Sequence, residues 1–485
     1  MSELGAPWTD PPAAQISSAQ WLRLFAAVPG ERIDRYRYYH EAGRTAWNTY
    51  LIPPSTFAAY GARYLHKLRF DNSLASLRLW GFMLTESERL YRARQMGKKV
   101  VALMGDLGPL APLVYAFPQT VAFYPECHWW TPFLTESDDL FTAAARRGLG
   151  EDCCFVRAAL GAFVKNCYFP PPDLCVASVG ATCDDYAAVI QGAHGLGYPF
   201  FWFEIPHRFD FPGDPVATAE DHAARRRFLA DQLRALAARL EEATGSPFDE
   251  AALVRAMGLT NRLRRAVESA RQGAYYSRGA ALPALEMMNL EFLALSGYAD
   301  LEEAVAVAEH VADTVQRRQV AGDWVIPPEA LRLYWVTPPA DPLLLNHAEE
   351  LGGQVAGTEY VIQQVKEPLR EDLPPLEALA EGVLAMSLAG SSTRRARRIL
   401  DEIRNTGAEG VVISSIFASS HCGSENRLIA EEVRRGLDLP VLVFNVVGPG
   451  KERQQGQIVS RMQAFMEVLR ARRKRQRQER PEGIG

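Results

Sequence analysis

Leu174-Cys175-Val176-Ala177-Ser178-Val179-Gly180, followed at once by Ala181-Thr182-Cys183-Asp184, decides how this chain is read. Residues 174–179 form a short, mostly apolar run without helical spacing, and a glycine closes it. Runs of four to eight such residues, bounded by Gly or Pro, suit strands buried on both faces of a parallel sheet. Lys98-Lys99 leads into a second run, Val100-Val101-Ala102-Leu103-Met104, ended by Gly105; residues 199–205 make a third, ended by Pro206. Between the runs lie segments long enough for helices, such as 184–194. Strand and helix therefore alternate, and the alternation predicts an α/β domain over 96–212.

Working outward, the alternation returns in the C-terminal third. Strands are predicted at 333–336, from 354, at 410–415 and at 440–445, with helices at 342–351, 376–388, 393–404, 425–435 and 456–472. These make a second α/β domain over 331–472. The chain between the two, 213–330, is helical in character. Phe228, Leu229, Leu233, Leu236 and Leu240 recur mostly at threes and fours, Gly245 closes that helix, and Asp249 suits the N-cap of the next. Further helices are expected at 282–294 and 301–317. Residues 1–95 carry helix-like patches at 19–27, 73–82 and 86–95 and are read as a helical N-terminal region. Residues 473–485 are basic, lack an apolar stripe, and are read as a frayed, solvated tail.

Composition narrows the function classes. A chain of 485 residues exceeds one ordinary core, and its 48% hydrophobic and 23% charged residues are those of folded globular proteins. A net charge of −5 argues against nucleic-acid binding by the whole chain. No basic stretch followed by an apolar one opens the sequence, and no run of about 18 apolar residues is free of charge or proline. The expectation is a cytoplasmic protein with no membrane span. Seven cysteines, an odd number, do not suggest a disulfide framework. Six lie between Cys127 and Cys183, and Cys422 stands alone.

Ligands of open α/β sheets bind beyond the carboxyl ends of the strands. Cys183 lies there after the run ending at Gly180, and Cys422 lies there in Ser419-Ser420-His421-Cys422-Gly423-Ser424. Cys153-Cys154 opens an apparent helix at 155–164, and a helix N-terminus favours a thiolate. Cys154 is thus a candidate third ligand, with Cys153 its close competitor. Three cysteines from separated loops could hold an iron–sulfur cluster with one iron left open. Ordinary buried thiols are the alternative, and Cys127, Cys167 and Cys175 are assigned to it. No C-x-x-C is present, so zinc-ribbon and ferredoxin patterns are excluded. Gly97-Lys98-Lys99 and Gly448-Pro449-Gly450-Lys451 both fail as P-loops, and neither G-x-S-x-G nor H-E-x-x-H occurs. Glu204 and His207 flank Pro206 and either face a cleft or serve structure.

In this order the segments resemble the D-component family of 2-hydroxyacyl-CoA dehydratases, which includes benzoyl-CoA reductase subunits. Glu151-Asp152-Cys153-Cys154-Phe155-Val156-Arg157 is similar to the family's first cysteine segment, with Cys154 in the ligand position. Pro172-Asp173-Leu174 through Thr182-Cys183-Asp184 is similar to the second, and His421-Cys422 occupies the third. Phe248-Asp249-Glu250-Ala251-Ala252-Leu253, the Gly352-Gly353 stretch, and Gly456-Gln457 with Arg461 and Ala464-Phe465 are similar to the family's later segments. The resemblance implies two Rossmann-like (flavodoxin-like) parallel-sheet domains with helical additions. It implies a [4Fe-4S] cluster held by Cys154, Cys183 and Cys422, a second related subunit, an acyl-CoA substrate, and an ATP-hydrolysing iron–sulfur activator. The reaction it implies is a one-electron reduction of the thioester carbonyl to a ketyl radical, leading to dehydration or to ring reduction. Pro112 stands where the family has a Glu, so the chain either touches the acyl group or relays electrons to a partner that does. A double-cubane-cluster reductase of small molecules and a scaffold subunit without a cluster are the alternative readings.

Overall fold

The computed structural model describes residues 9–26, 64–104, 107–181, 183–206, 219–337, 339, 341–359, 365–417, 419–446, 448 and 452–479. Gly105, Thr182, His207 and the lysine of Gly448-Pro449-Gly450-Lys451 lie outside the described residues, as does most of 1–63.

Ten strands are described: β1 Gln15–Ser17, β2 Arg69–Asp71, β3 Lys99–Met104, β4 Thr120–Phe123, β5 Leu174–Gly180, β6 Phe200–Ile205, β7 Leu331–Val336, β8 Gly353–Glu359, β9 Gly410–Ile416 and β10 Val441–Val446. Two four-stranded sheets, wholly parallel, have the orders β4-β3-β5-β6 and β10-β9-β7-β8. Numbered within its own sheet, each order is second, first, third, fourth. That is the start of the flavodoxin-like order, whose switch point lies between the first and third strands. The α/β reading with two parallel sheets holds, and both sheets share one topology.

The apolar runs form strands because both faces are covered. Val100, Val101, Ala102, Leu103 and Met104 have no exposed surface, and β7 is buried along its whole length. Each such aliphatic side chain contributes about 1.5–3 kcal/mol on leaving water. On β7 even Arg332 is buried, because its guanidinium donates to the Thr406 carbonyl at 2.9 Å and to Gln354 Oε1 at 3.1 Å. The helical segment between the sheets holds Ala219–Thr244, Glu250–Arg271, Ala284–Ser296 and Leu301–Ala321. Asp249 caps the second of these, its side chain accepting from Ala252 N at 3.0 Å, as its position predicts.

Three differences from the sequence reading have local causes. β4 is a fourth strand of the first sheet that periodicity did not reveal; four residues are too few to show a period. The N-terminal region is not only helical, since β1 and β2 pair antiparallel. The last helix, Glu452–Glu479, runs beyond Arg472. Arg473 fastens it, with Nε on Glu409 Oε1 at 2.6 Å and Nη2 on the Ala330 carbonyl at 2.9 Å. Among the described residues no helix is long and apolar enough to cross a membrane.

Candidate functional site

Gly180 ends β5 at φ +89°, and a Cβ there would come within 2.3 Å of the Ile205 carbonyl oxygen on β6. Only glycine lets the chain turn so tightly over the neighbouring strand. Cys183 follows as the residue preceding the helix Asp184–His194, with its carbonyl accepting from Tyr186 N at 3.1 Å. On the other sheet β9 leads into a π-turn, Ser420–Ser424, that carries Cys422. Gly423 is required in that turn, because a Cβ would meet the Ile416 carbonyl oxygen at 2.7 Å. Cys183 and Cys422 therefore occupy equivalent places, each after the third strand of its sheet. Cys153 and Cys154 precede the helix Arg157–Lys165, and the Arg157 guanidinium holds both of their carbonyls, at 2.5 and 3.2 Å.

Asp185 joins these cysteines. Its Oδ1 accepts from Cys154 N at 3.1 Å and its Oδ2 from Cys183 Sγ at 3.7 Å. The Asp185 charge also helps raise the Cys153 thiol and, least among the causes, the Cys422 thiol. Cys153, Cys154 and Cys183 are 5, 6 and 6% exposed, so the group is almost dry. Burial pushes the Cys153 thiol up to about 12, helped by Asp185 and opposed by Arg157. Burial, Asp185 and Cys183 raise Cys154 well above the ordinary thiol value. The helix end expected to favour a Cys154 thiolate is thus outweighed in the protein alone. Burial raises Cys422 to about 11, with the Arg395 guanidinium pulling the other way.

Arg395 belongs to the second sheet's side of the site. Its Nη2 and Nε bind Glu359 at 2.7 and 2.9 Å, and its Nη1 binds Glu425 at 2.8 Å. Glu359 ends β8 and Glu425 follows the Cys422 turn, so the guanidinium ties that turn to the sheet. Asn426 Nδ2 reaches the Cys422 carbonyl at 2.7 Å. Two cavities open beside the cysteines. One of about 560 Å³ is lined by Cys153, Asp185, Phe417, Ser419, Gly423 and Asn445, among others. The other, of about 440 Å³, reaches both Cys153 and Cys154. Phe417, 68% exposed, stands at both.

The remaining candidates separate from this group. Cys175 is fully buried in β5, and neither Cys127 nor Cys167 lines these two cavities. Glu204 is exposed on the edge strand β6, where Gln232 bonds to its backbone N–H and carbonyl at 2.8 and 2.7 Å. Asp185 and Arg395 were missed in the sequence. Asp185 stands two residues after Cys183 but looks there like an ordinary acid in a first helical turn. Arg395 left a better signal: it shares the four-residue spacing of Ile399 and Ile403, on the apolar stripe of its helix.

Among the described residues no three His, Cys, Asp or Glu side chains stand close enough to hold one metal ion. Sulfur ligands of a single zinc all lie about 2.3 Å from it and crowd together. An iron–sulfur cluster offers separate irons to its thiolates, so it takes a wider set of ligands. An all-sulfur donor set drawn from separate loops, with Cys154 and Cys183 buried and Cys422 half-buried, suits such a cluster.

No curated protein matches the chain. The family model described as 2-hydroxyglutaryl-CoA dehydratase, D-component, matches residues 113–469, from just after β3 to near the end of the last helix. With well over half of its length matched, from the first sheet through the Cys422 turn, the chain belongs to the 2-hydroxyglutaryl-CoA dehydratase D-component family.

Proposed function

We propose that this chain is the iron–sulfur subunit of a 2-hydroxyacyl-CoA dehydratase or benzoyl-CoA reductase type enzyme. Cys154, Cys183 and Cys422 hold a [4Fe-4S] cluster, a second related subunit completes the enzyme, and an ATP-hydrolysing iron–sulfur activator supplies electrons. The observation that supports this reading is that Asp185, bonded to the Cys154 N–H and the Cys183 thiol beyond β5, lines one cavity with Ser419 and Gly423 of the Cys422 turn beyond β9. When bound, such a cluster supplies single low-potential electrons, which on an acyl-CoA thioester carbonyl produce a ketyl radical.

The chain's own residues prepare the place. Asp185 orients the Cys154 backbone and the Cys183 thiol, and Arg157 fixes the carbonyls of the Cys153–Cys154 turn. Arg395 and Glu425 hold the Cys422 turn from the other sheet. The burial of Cys154 and Cys183 limits water at their side of the site, which helps keep a reduced centre from losing its electron to side reactions.

The test is anaerobic purification with iron analysis. About four irons per chain are expected, as one cubane requires, and Cys154→Ser, Cys183→Ser and Cys422→Ser should each lower that count. An iron count near eight would favour the double-cubane reductase instead. Colourless, iron-free protein from iron-replete anaerobic cells, with all three variants folded like the parent, overturns the reading in favour of a scaffold.

A further inference from the structure

Cys153 does not behave as a core residue. Cys154 and Cys175 pack within the main hydrophobic cluster of the described residues, but Cys153 and Cys183 do not belong to it. Cys153 instead lines both cavities at the site, the larger of which also touches Ser419 and Gly423 of the Cys422 turn. Asp185, which accepts from the Cys183 thiol at 3.7 Å, lines the larger cavity beside it. The Cys153 backbone is fixed with that of Cys154 by one guanidinium, and Arg157 itself is held over the Phe141 ring at 4.4 Å. Cys153 and Cys154 are thus a buried adjacent pair whose turn is fixed by Arg157 and, at the Cys154 N–H, by Asp185, the carboxylate that accepts from the Cys183 thiol.

We infer that Cys153 is a fourth thiolate ligand, so that the cluster site of this chain is closed by four cysteines: Cys153, Cys154, Cys183 and Cys422. The inference rests on the cluster reading above and deepens it. Each thiol loses its proton to solvent when it binds iron. A site of three thiolates leaves one iron open to a substrate oxygen or an added ligand, whereas a site of four leaves none. The chain then passes electrons to an acyl group held elsewhere. Pro112, where the family has Glu, agrees with that division of labour.

The experiment compares the parent protein with Cys153→Ser, both purified anaerobically and reduced, by iron count and by EPR with and without added cyanide. Cyanide binds an open iron and changes its signal. The parent is expected to carry about four irons and to show a spectrum indifferent to cyanide. Cys153→Ser is expected to keep most of its iron and to gain a cyanide-dependent signal. Loss of iron from Cys153→Ser and Cys153→Ala alike, with circular dichroism unchanged, also places Cys153 among the ligands. A parent spectrum that shifts with cyanide overturns the inference, as does an iron-loaded Cys153→Ser that cyanide leaves unchanged. A parent without iron removes the cluster reading itself, so the two failures are told apart.

Discussion

Replacing Arg395 by Met tests the second sheet's half of the site. The guanidinium is 4% exposed, and its partners Glu359 and Glu425 are 5 and 15% exposed. Without it, Glu359 keeps the Ser387 hydroxyl at 3.4 Å and Glu425 keeps the Ser392 hydroxyl at 2.8 Å. Both carboxylates then lose their buried cation. Removing one partner of a buried ion pair costs about 3–5 kcal/mol, chiefly because the charge left behind has no counterion. Arg395→Met should therefore lose about that much in urea unfolding at neutral pH. Adding Glu359→Gln and Glu425→Gln removes the stranded charges, and the triple variant should recover most of the loss. The Cys422 turn would remain less firmly held, so iron retention should stay low in the triple variant even as stability returns. A loss below about 1 kcal/mol would mean the pair is as well solvated as one on the surface. That result, or a triple variant no more stable than the single one, refutes the reasoning.

The protein should also lose stability as its solution is acidified through the histidine range. Burial lowers the His128 pKa to about 4 in the folded protein, where its ring lies against Tyr168 and Phe169. Unfolded, it takes a proton near its ordinary 6.5, so the unfolded state binds more protons between those values. The contribution is complete above about pH 6.5 and is lost as pH falls towards 4, amounting at most to about 3 kcal/mol. Urea unfolding of His128→Phe at pH 5 and pH 7 should show a smaller difference than the parent; an equal difference would refute it. A different perturbation reaches the cysteines through packing. A Cβ on Gly161 would lie 2.1 Å from the Leu140 carbonyl oxygen, so Gly161→Ala must part the helices Asp139–Ala145 and Arg157–Lys165. A loss of about 3 kcal/mol in unfolding is expected, at the upper end for overpacking, together with reduced iron uptake.

Much of the fold was legible because parallel strands write themselves as apolar runs with sharp ends. Val100 to Met104 and Leu174 to Gly180 both read that way and form β3 and β5. β1 and β2 were not legible, since each is three residues long and their pairing spans over 50 residues. Strand identity there depends on a distant partner, which local pattern does not report. Residues 473–479 were misread for a related reason. Their helix lacks an apolar stripe, and what holds it at Arg473 is Glu409, far away in the chain. At the site, the cysteines were legible as a residue type at strand ends. Asp185 and Arg395 were not, because their roles consist of contacts across 31 and 36 residues, to Cys154 and to Glu359.

The matching strand orders explain why the proposed site draws on both sheets. In this topology the crevice lies between the first and third strands, at their carboxyl ends. Each sheet delivers one cysteine just after its third strand, Cys183 after β5 and Cys422 after β9. The proposed ligand set draws on both: Cys154 and Cys183 come from the first sheet and Cys422 from the second. Each also supplies its own buried arginine, Arg157 on the carbonyls of the cysteine pair and Arg395 on the carboxylate beside Cys422. A site spread over two units is precise only if each unit fixes its own ligands before they meet. The two arginines do that separately, and Asp185, bonded to Cys154 and Cys183 of the first sheet, lines one cavity with Ser419 and Gly423 of the Cys422 turn. Loosening one arginine should therefore disturb one cysteine turn and leave the other intact.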